Sequence, residues 1–253
     1  MAHEAEHANG ADTRARARIE AALDERRRSF LRMVSHELRT PLNSILGFSE
    51  ILTAELYGPL GAPQYKEYAA IIHASGQKLL KLVNQVLEIA RLEGNTIEFD
   101  AGSESLEAAL DDVLLALKPD LAARGVCVAV EGRGELPAVT ADGRGLRSVL
   151  TQLIHNAIVF SPEGGQVNVR AEPRGEYVDI VIQDHGEGVD PQELARLMAP
   201  FEQGENALTR KAEGAGLGLP IADLTCLAMG GRLKLASTPG QGLTATARLP
   251  AAR

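Results

Sequence analysis

The 253-residue chain has no tryptophan, four tyrosines, five phenylalanines and two cysteines. So few aromatics, never interleaved with basic residues, together with a formal charge of −8, argue against nucleic acid as the main partner. Two cysteines cannot build a disulfide framework. Cys127 and Cys226 lie in apolar stretches and read as packed thiols of a reducing, cytoplasmic compartment. A run of about eighteen apolar residues is missing, so this stretch is expected to make no direct membrane contact. Metal-ligand clusters are missing too: His3, His7, His73, His155 and His185 have no partners at ligand spacing and read as structural or solvated. Arg26-Arg27-Arg28 reads as the wet face of a helix.

What the chain does have is long helical periodicity. Phe30, Val34, Leu38, Pro41, Ile45, Phe48 and Leu52 alternate steps of three and four, as a helix seam requires. Pro41 breaks the pattern inside Ser35-His36-Glu37-Leu38-Arg39-Thr40-Pro41-Leu42. An interior proline costs roughly 3 kcal/mol and loosens one turn. Thr40 lies one turn after His36 on the same face, where a hydroxyl can aim a water at whatever His36 carries. A neutral imidazole can attack phosphorus if a carboxylate takes the proton from its other nitrogen, and Glu37 is the nearest candidate.

The turn Gly58-Pro59-Leu60-Gly61-Ala62-Pro63 leads to a second helix with a seam at Tyr65, Tyr68, Ile72, Leu79, Val83, Val86 and Ala90. A hairpin alone leaves apolar stripes wet, so a homodimeric four-helix bundle is expected.

After Glu93-Gly94 the pattern changes to mixed strands and helices. Strands are expected at Thr96–Phe99, Val126–Val130, Val167–Ala171, Val178–Ile182 and Leu233–Ala236, in an α/β sandwich with helices on one face and water on the other. Within it, Asp184 follows a strand whose Val178, Ile180 and Ile182 face the apolar layer, and a carboxylate there needs a donor. An exocyclic adenine amine would serve, with Gly186 and Gly188 allowing close approach. A helix with a buried stripe at Leu146, Leu150, Leu153 and Ala157 carries Gln152 and Asn156 one turn apart, amide oxygens suited to Mg2+ already bridging phosphates. Gly214-Ala215-Gly216-Leu217-Gly218-Leu219 opens another helix, whose amides favour anions.

Ser35 to Leu42 resembles the phosphoacceptor box of sensor histidine kinases of the HisKA type. The later segments, together with Pro200-Phe201-Glu202-Gln203-Gly204, resemble the asparagine, aspartate-glycine, phenylalanine and terminal glycine boxes of the GHKL (Bergerat) ATPase fold. The resemblance implies an entering helix over 1–28, a dimerisation and phosphotransfer domain over 29–93, and an ATP-binding domain over 94–253. It implies ATP-dependent phosphorylation of His36 with Glu37 as base, transfer to an aspartate of a response regulator, and Thr40 positioning water for regulator phosphatase activity. It further implies that Asp184 binds adenine, that Asn156 with Gln152 binds magnesium, that Gly214, Gly216 and Gly218 contact phosphates in a loop with Leu217 and Leu219, that Phe201 borders the nucleotide, and that residues 202–213 form a lid.

Two departures stand out. Gln152 is a methylene longer than the usual asparagine, and Val159 stands where a lysine or arginine commonly holds phosphate; Arg210 or Lys211 is a candidate replacement. The hairpin looks nearest to the DivJ and PleC group of alphaproteobacterial cell-cycle kinases, the DivJ branch first. That implies DivK-like and PleD-like regulators as partners and anchoring in the bacterial inner membrane by an upstream region. Two rivals remain: a phosphatase-dominant or non-catalytic ATP-binding scaffold, and an ATPase of the gyrase or MutL kind.

Overall fold

The computed structural model describes residues 42–56, 58–94, 96–202 and 215–252. His36, Glu37, Thr40, Pro41, Gln203, Gly204, Arg210, Lys211 and Gly214 lie outside the described residues. The chain forms two compact units that meet in sequence between Thr96 and Ile97.

The first unit holds helix α1, described over residues 42–53, and α2 (Pro63–Glu93). Glu55, with φ 52°, closes α1, and Pro63 in the first turn of α2 restarts the helix where its missing N–H costs nothing. The seam read from the sequence does not close this hairpin. Ile45, Phe48, Leu52, Tyr65, Tyr68, Ile72, Leu79 and Val86 are each 40% or more exposed. Leu42, Ser49, Ala69 and Gly76 are buried instead. The reason is steric: Gly76 packs directly on the Leu46 and Ile45 side chains, where even a Cβ would approach Leu46 Cδ2 at 3.0 Å. Small residues bring the backbones together and turn the bulky stripe outward.

The second unit is an α/β sandwich. A five-stranded sheet runs in the order β2 (Cys127–Val130), β4 (Gln166–Arg174), β5 (Tyr177–Gln183), β7 (Leu243–Pro250), β6 (Arg232–Ser237), and β1 (Gly102–Ser105) pairs with β3 (Ala138–Ala141) in a small second sheet. Only the β2–β4 pair is parallel. Helices α3 (Leu106–Ala116), α4 (Lys118–Arg124), α5 (Gly143–Phe160) and α7 (Gly218–Ala228) complete it, with α6 (Leu194–Leu197) in the connection between. The core joins Leu106, Leu110, Leu146, Leu150, Leu153, Ile154 and Ile158 of the helices to Val167, Ile180, Ile182 and Leu249 of the sheet, all at 2% exposure or less.

Several expectations need correction. Residues 96–99 form no strand: the amide of Asp100 is taken by Asp142 Oδ2 at 3.2 Å, and the chain pairs only from Gly102 onward. The sheet face away from the helices is not simply wet, because Val181 and Asp179 on central β5 are 5% and 8% exposed. Long neighbouring side chains cover them; Arg248 on β7 grips Asp179 with Nε at 2.5 Å and Nη2 at 2.6 Å. Cys127 is exposed and only Cys226 is packed.

Candidate functional site

Asp184 stands one residue beyond β5 and is 2% exposed. Two backbone amides converge on its Oδ1, from Gly186 at 2.8 Å and Leu243 at 3.1 Å. Burial raises its pKa, and these two amides only partly offset the rise. Glycines are required around it by contact. A Cβ on Gly186 would strike the Phe160 carbonyl and Asp184 itself, and one on Gly242 would strike the Asp184 backbone. Gly242 (φ +81°) and Gly188 (φ +64°) also hold left-handed backbone that suits glycine. Ser237 fastens the loop, accepting from Val189 N at 2.9 Å and donating to Gly242 O at 2.6 Å. Sequence reasoning missed Ser237, Gly242 and Leu243; the turn Pro239-Gly240-Gln241-Gly242 was the available signal. Ser161 Oγ, at the end of α5, is buried with no protein partner among the described residues.

Helix α5 begins on Asp142, whose Oδ1 accepts from Arg144 N and Gly145 N at 2.9 Å each. It buries the stripe expected for it and leaves Gln152, His155, Asn156 and Val159 half-buried on the opposite side. Helix α7 starts differently, since Leu217 provides no side-chain cap and among the described residues no side chain caps its first amides. Gln152 Oε1 comes to this end: a Cβ on Gly218 would sit 3.0 Å from it. Gly216, at φ +68°, lies against the backbone of Glu202, where no Cβ fits. Leu217 and Leu219 are expected in the same loop. At 1% and 9% exposure their side chains are packed inward, so they anchor the loop and offer a ligand only backbone. Phe201 is 62% exposed and strained at φ 66°. His185 accepts from Asn168 Nδ2 at 3.1 Å, and its charge acts to lower the pKa of neighbouring Asp184.

One end of the domain thus gathers a buried carboxylate with closely packed glycine turns around it, a helix start that no described side chain caps, and the helix that carries the two amide side chains. That arrangement suits a ligand with one hydrogen-bond-donating base and an anionic tail. Among the described residues no three His, Cys, Asp or Glu side chains cluster as metal ligands. Amide oxygens of Gln152 and Asn156 nonetheless suit Mg2+ whose other ligands are phosphate oxygens and water. No described helix is long and apolar enough to cross a membrane.

Residues 26–95 match the model of the His Kinase A (phospho-acceptor) domain, and residues 141–253 match that of the histidine kinase-, DNA gyrase B- and HSP90-like ATPases. The histidine protein kinase DivJ of Caulobacter vibrioides is 41% identical over 243 residues, 92% of this chain and 39% of that protein. The non-motile and phage-resistance protein of the same organism is 40% identical over 225 residues, 87% of this chain and 27% of that protein. Among solved structures, full-length ShkA in complex with AMPPNP superposes with a TM-score of 0.75 at 34% identity, covering 88% of this chain and 46% of that one. The chain therefore spans well under half of each curated relative named here. With a phospho-acceptor helical region joined to a GHKL-type ATP-binding domain, the chain belongs to the histidine kinases of two-component systems.

Proposed function

We propose that this region phosphorylates its own His36 from ATP and passes the phosphoryl group to an aspartate of a response regulator. The joining of a phospho-acceptor domain to an ATP-binding domain in one chain is the observation that carries it. In this reading the adenine amine donates to Asp184 Oδ2, since both backbone amides occupy Oδ1. Gly186 and Gly242 let the Phe160 and Asp184 backbone pack closely around the carboxylate that the base would meet. The polyphosphate lies on the first amides of α7, where Gly216 and Gly218 add no side chain. Gln152 and Asn156 would hold Mg2+, which when bound neutralises charge on the terminal phosphates.

At the acceptor, one imidazole nitrogen of His36 forms a bond to the γ-phosphorus as the bond to ADP's oxygen breaks. The proton on the other nitrogen passes to Glu37. The phosphoryl group then moves from nitrogen to an aspartate oxygen of the regulator as the N–P bond breaks and Glu37 returns its proton to the ring, restoring neutral His36. Thr40 aims a water for the reverse duty, removal of phosphate from the regulator. Similarity to DivJ makes DivK-like and PleD-like receiver domains the first regulators to try, and we place the working protein at the inner membrane through sequence upstream.

The exposed seam of α1 and α2 supports a homodimer, in which a second copy covers Ile45, Phe48, Tyr68 and Ile72. Incubation with γ-labelled ATP and magnesium should give an acid-labile, alkali-stable phosphoprotein. A His36→Gln chain that labels equally would overturn the assignment.

A further inference from the structure

Helix α5 ends against the loop that carries Asp184. The carbonyl of Phe160, its last residue, fills the place a Cβ on Gly186 would take, with the carbonyl carbon 3.1 Å and Asp184 Oδ1 3.0 Å from that point. The Gly186 amide donates to the same Oδ1 at 2.8 Å. In close-packed surroundings a shift of Phe160 is passed through Gly186 to the carboxylate.

The last turn of α5 does not fix this position alone. Pro162 has no amide with which to continue the helix, and it holds Ser161 extended at ψ 148°. The Ser161 amide closes on Ala157 O at 3.0 Å, but its hydroxyl is buried with no protein partner among the described residues. The final carbonyls of a helix need partners from outside it. One of them, Val159 O, is taken by Arg124 at the end of α4, whose Nη1 donates to it at 2.6 Å. A cation at a helix C-terminus also suits the helix dipole. Arg124 is half-buried and makes no ion pair among the described residues, so its guanidinium is committed to this carbonyl. Its backbone acts on the same segment: Gly164 N donates to Arg124 O at 3.1 Å, and Cys127 N donates to Gly165 O at 3.0 Å. Gly125, left-handed at φ +63°, turns the chain between them. Residues 124–127 thus clasp 159–165, and the Arg124 side chain is the part that grips the helix end itself.

We propose that Arg124 is a positioning residue for base recognition: by holding Val159 O it sets where Phe160 meets Gly186, and so the geometry in which Asp184 receives the amine of a purine base. Arg124 itself touches neither base nor phosphate. This rests on the ATP-site reading, and the two fail separately.

The test is calorimetric titration of adenosine, and of inorganic tripolyphosphate with magnesium, into the whole chain and its Arg124→Met, Arg124→Gln and Arg147→Met variants. Arg147 is the control, because it donates to Gly143 O and Asp112 at 2.8 Å each at the opposite end of the same helix. We expect Arg124→Met to weaken adenosine about tenfold and Arg124→Gln, which keeps a shorter donor, about threefold. Tripolyphosphate affinity should stay unchanged in both, and Arg147→Met should bind both ligands as the parent does. Should the methionine variant fail to fold, the glutamine variant carries the same test. Parent-like adenosine affinity in the folded Arg124 variants would overturn the inference. So would an equal loss of both ligands, or an adenosine loss of the same size in Arg147→Met, since either marks a merely structural role. A parent chain that does not bind adenosine refutes the ATP-site reading and takes this role with it.

Discussion

The hairpin and the sandwich solve the same problem in opposite ways. In the sandwich, the apolar faces of α3, α5 and α7 meet the sheet, and the largest aliphatic side chains are at 2% exposure or less. In the hairpin, a few residues such as Leu42, Ala69, Gly76 and Leu87 are buried, whereas Phe48, Leu56, Tyr65, Tyr68 and Ile71 are all more than half exposed. The same physics governs both, because apolar surface left in water costs about 25 cal/mol per Å2. One region closes its core within the chain. The other carries a half-core shaped for something outside it.

The largest expected effects separate the two regions. Ile72→Asp puts a charge on the outward seam and should weaken self-association by about a hundredfold or more, since a buried unpaired carboxylate costs several kcal/mol. Leu150→Ala should cost the sandwich about 2–5 kcal/mol by cavity formation and leave association alone. Sedimentation velocity with urea unfolding reads both. If Ile72→Asp stays as associated as the parent, the contrast between the regions fails.

A smaller effect sharpens the comparison within the sandwich. Burial raises the pKa of Asp184, with the two amides pulling the other way. A carboxylate whose folded pKa is raised lends stability below its unfolded value and loses it as pH rises through the folded value. At neutral pH the buried charge is therefore a cost to the fold. Asp184→Asn keeps an oxygen for the Gly186 and Leu243 amides and removes that cost, so the melting temperature should hold or rise. The new amide NH2 would confront the adenine amine donor to donor, and leaving such a group unpaired costs about 1–3 kcal/mol, or roughly tenfold to hundredfold in adenosine affinity. In the parent chain, adenosine affinity should fall as pH drops through a range above that of an ordinary carboxylate. Calorimetric titration paired with thermal melts checks both signs; an Asp184→Asn chain that is less stable yet binds adenosine normally would reverse the assignment.

What the sequence disclosed, and what it hid, follows from how each signal is encoded. Strands β2, β4, β5 and β6 were visible because valine, isoleucine and leucine alternate along them. Strand β7 was not: its inward positions include Ala245 and Ala247, too small to mark a period. Gly-Ser-Glu-Ser in β1 has no apolar signal at all. Asp184, Asn156 and the glycines were picked out as candidates because the short segments that hold them resemble family boxes, whereas Leu243 reaches Asp184 across 59 residues by a pairing no local pattern records. The hairpin seam was read as a stripe that the hairpin leaves wet and a second copy would cover, and the structure leaves that stripe exposed. Periodicity says which residues share a face, not what covers it.

The smallest prediction lies in the hairpin. Ser49, at 2% exposure, donates to Leu46 O at 2.8 Å and stands 3.2 Å from His73 Nδ1. Since the hydroxyl proton is spent on Leu46, the ring must donate to Ser49 Oγ. Its proton then sits on Nδ1, also 3.3 Å from Leu46 O, and Nε2 accepts from Gln77 Nε2 at 2.9 Å. Ser49→Ala removes one of two acceptors for that N–H and strands neither partner, so the hairpin should lose only about 0.5–1 kcal/mol. Nitrogen-15 shifts of the ring should keep the Nδ1-protonated pattern in the parent chain. An Nε2-protonated ring would show that helix packing through Gly76, rather than this polar contact, sets the register of α1 against α2.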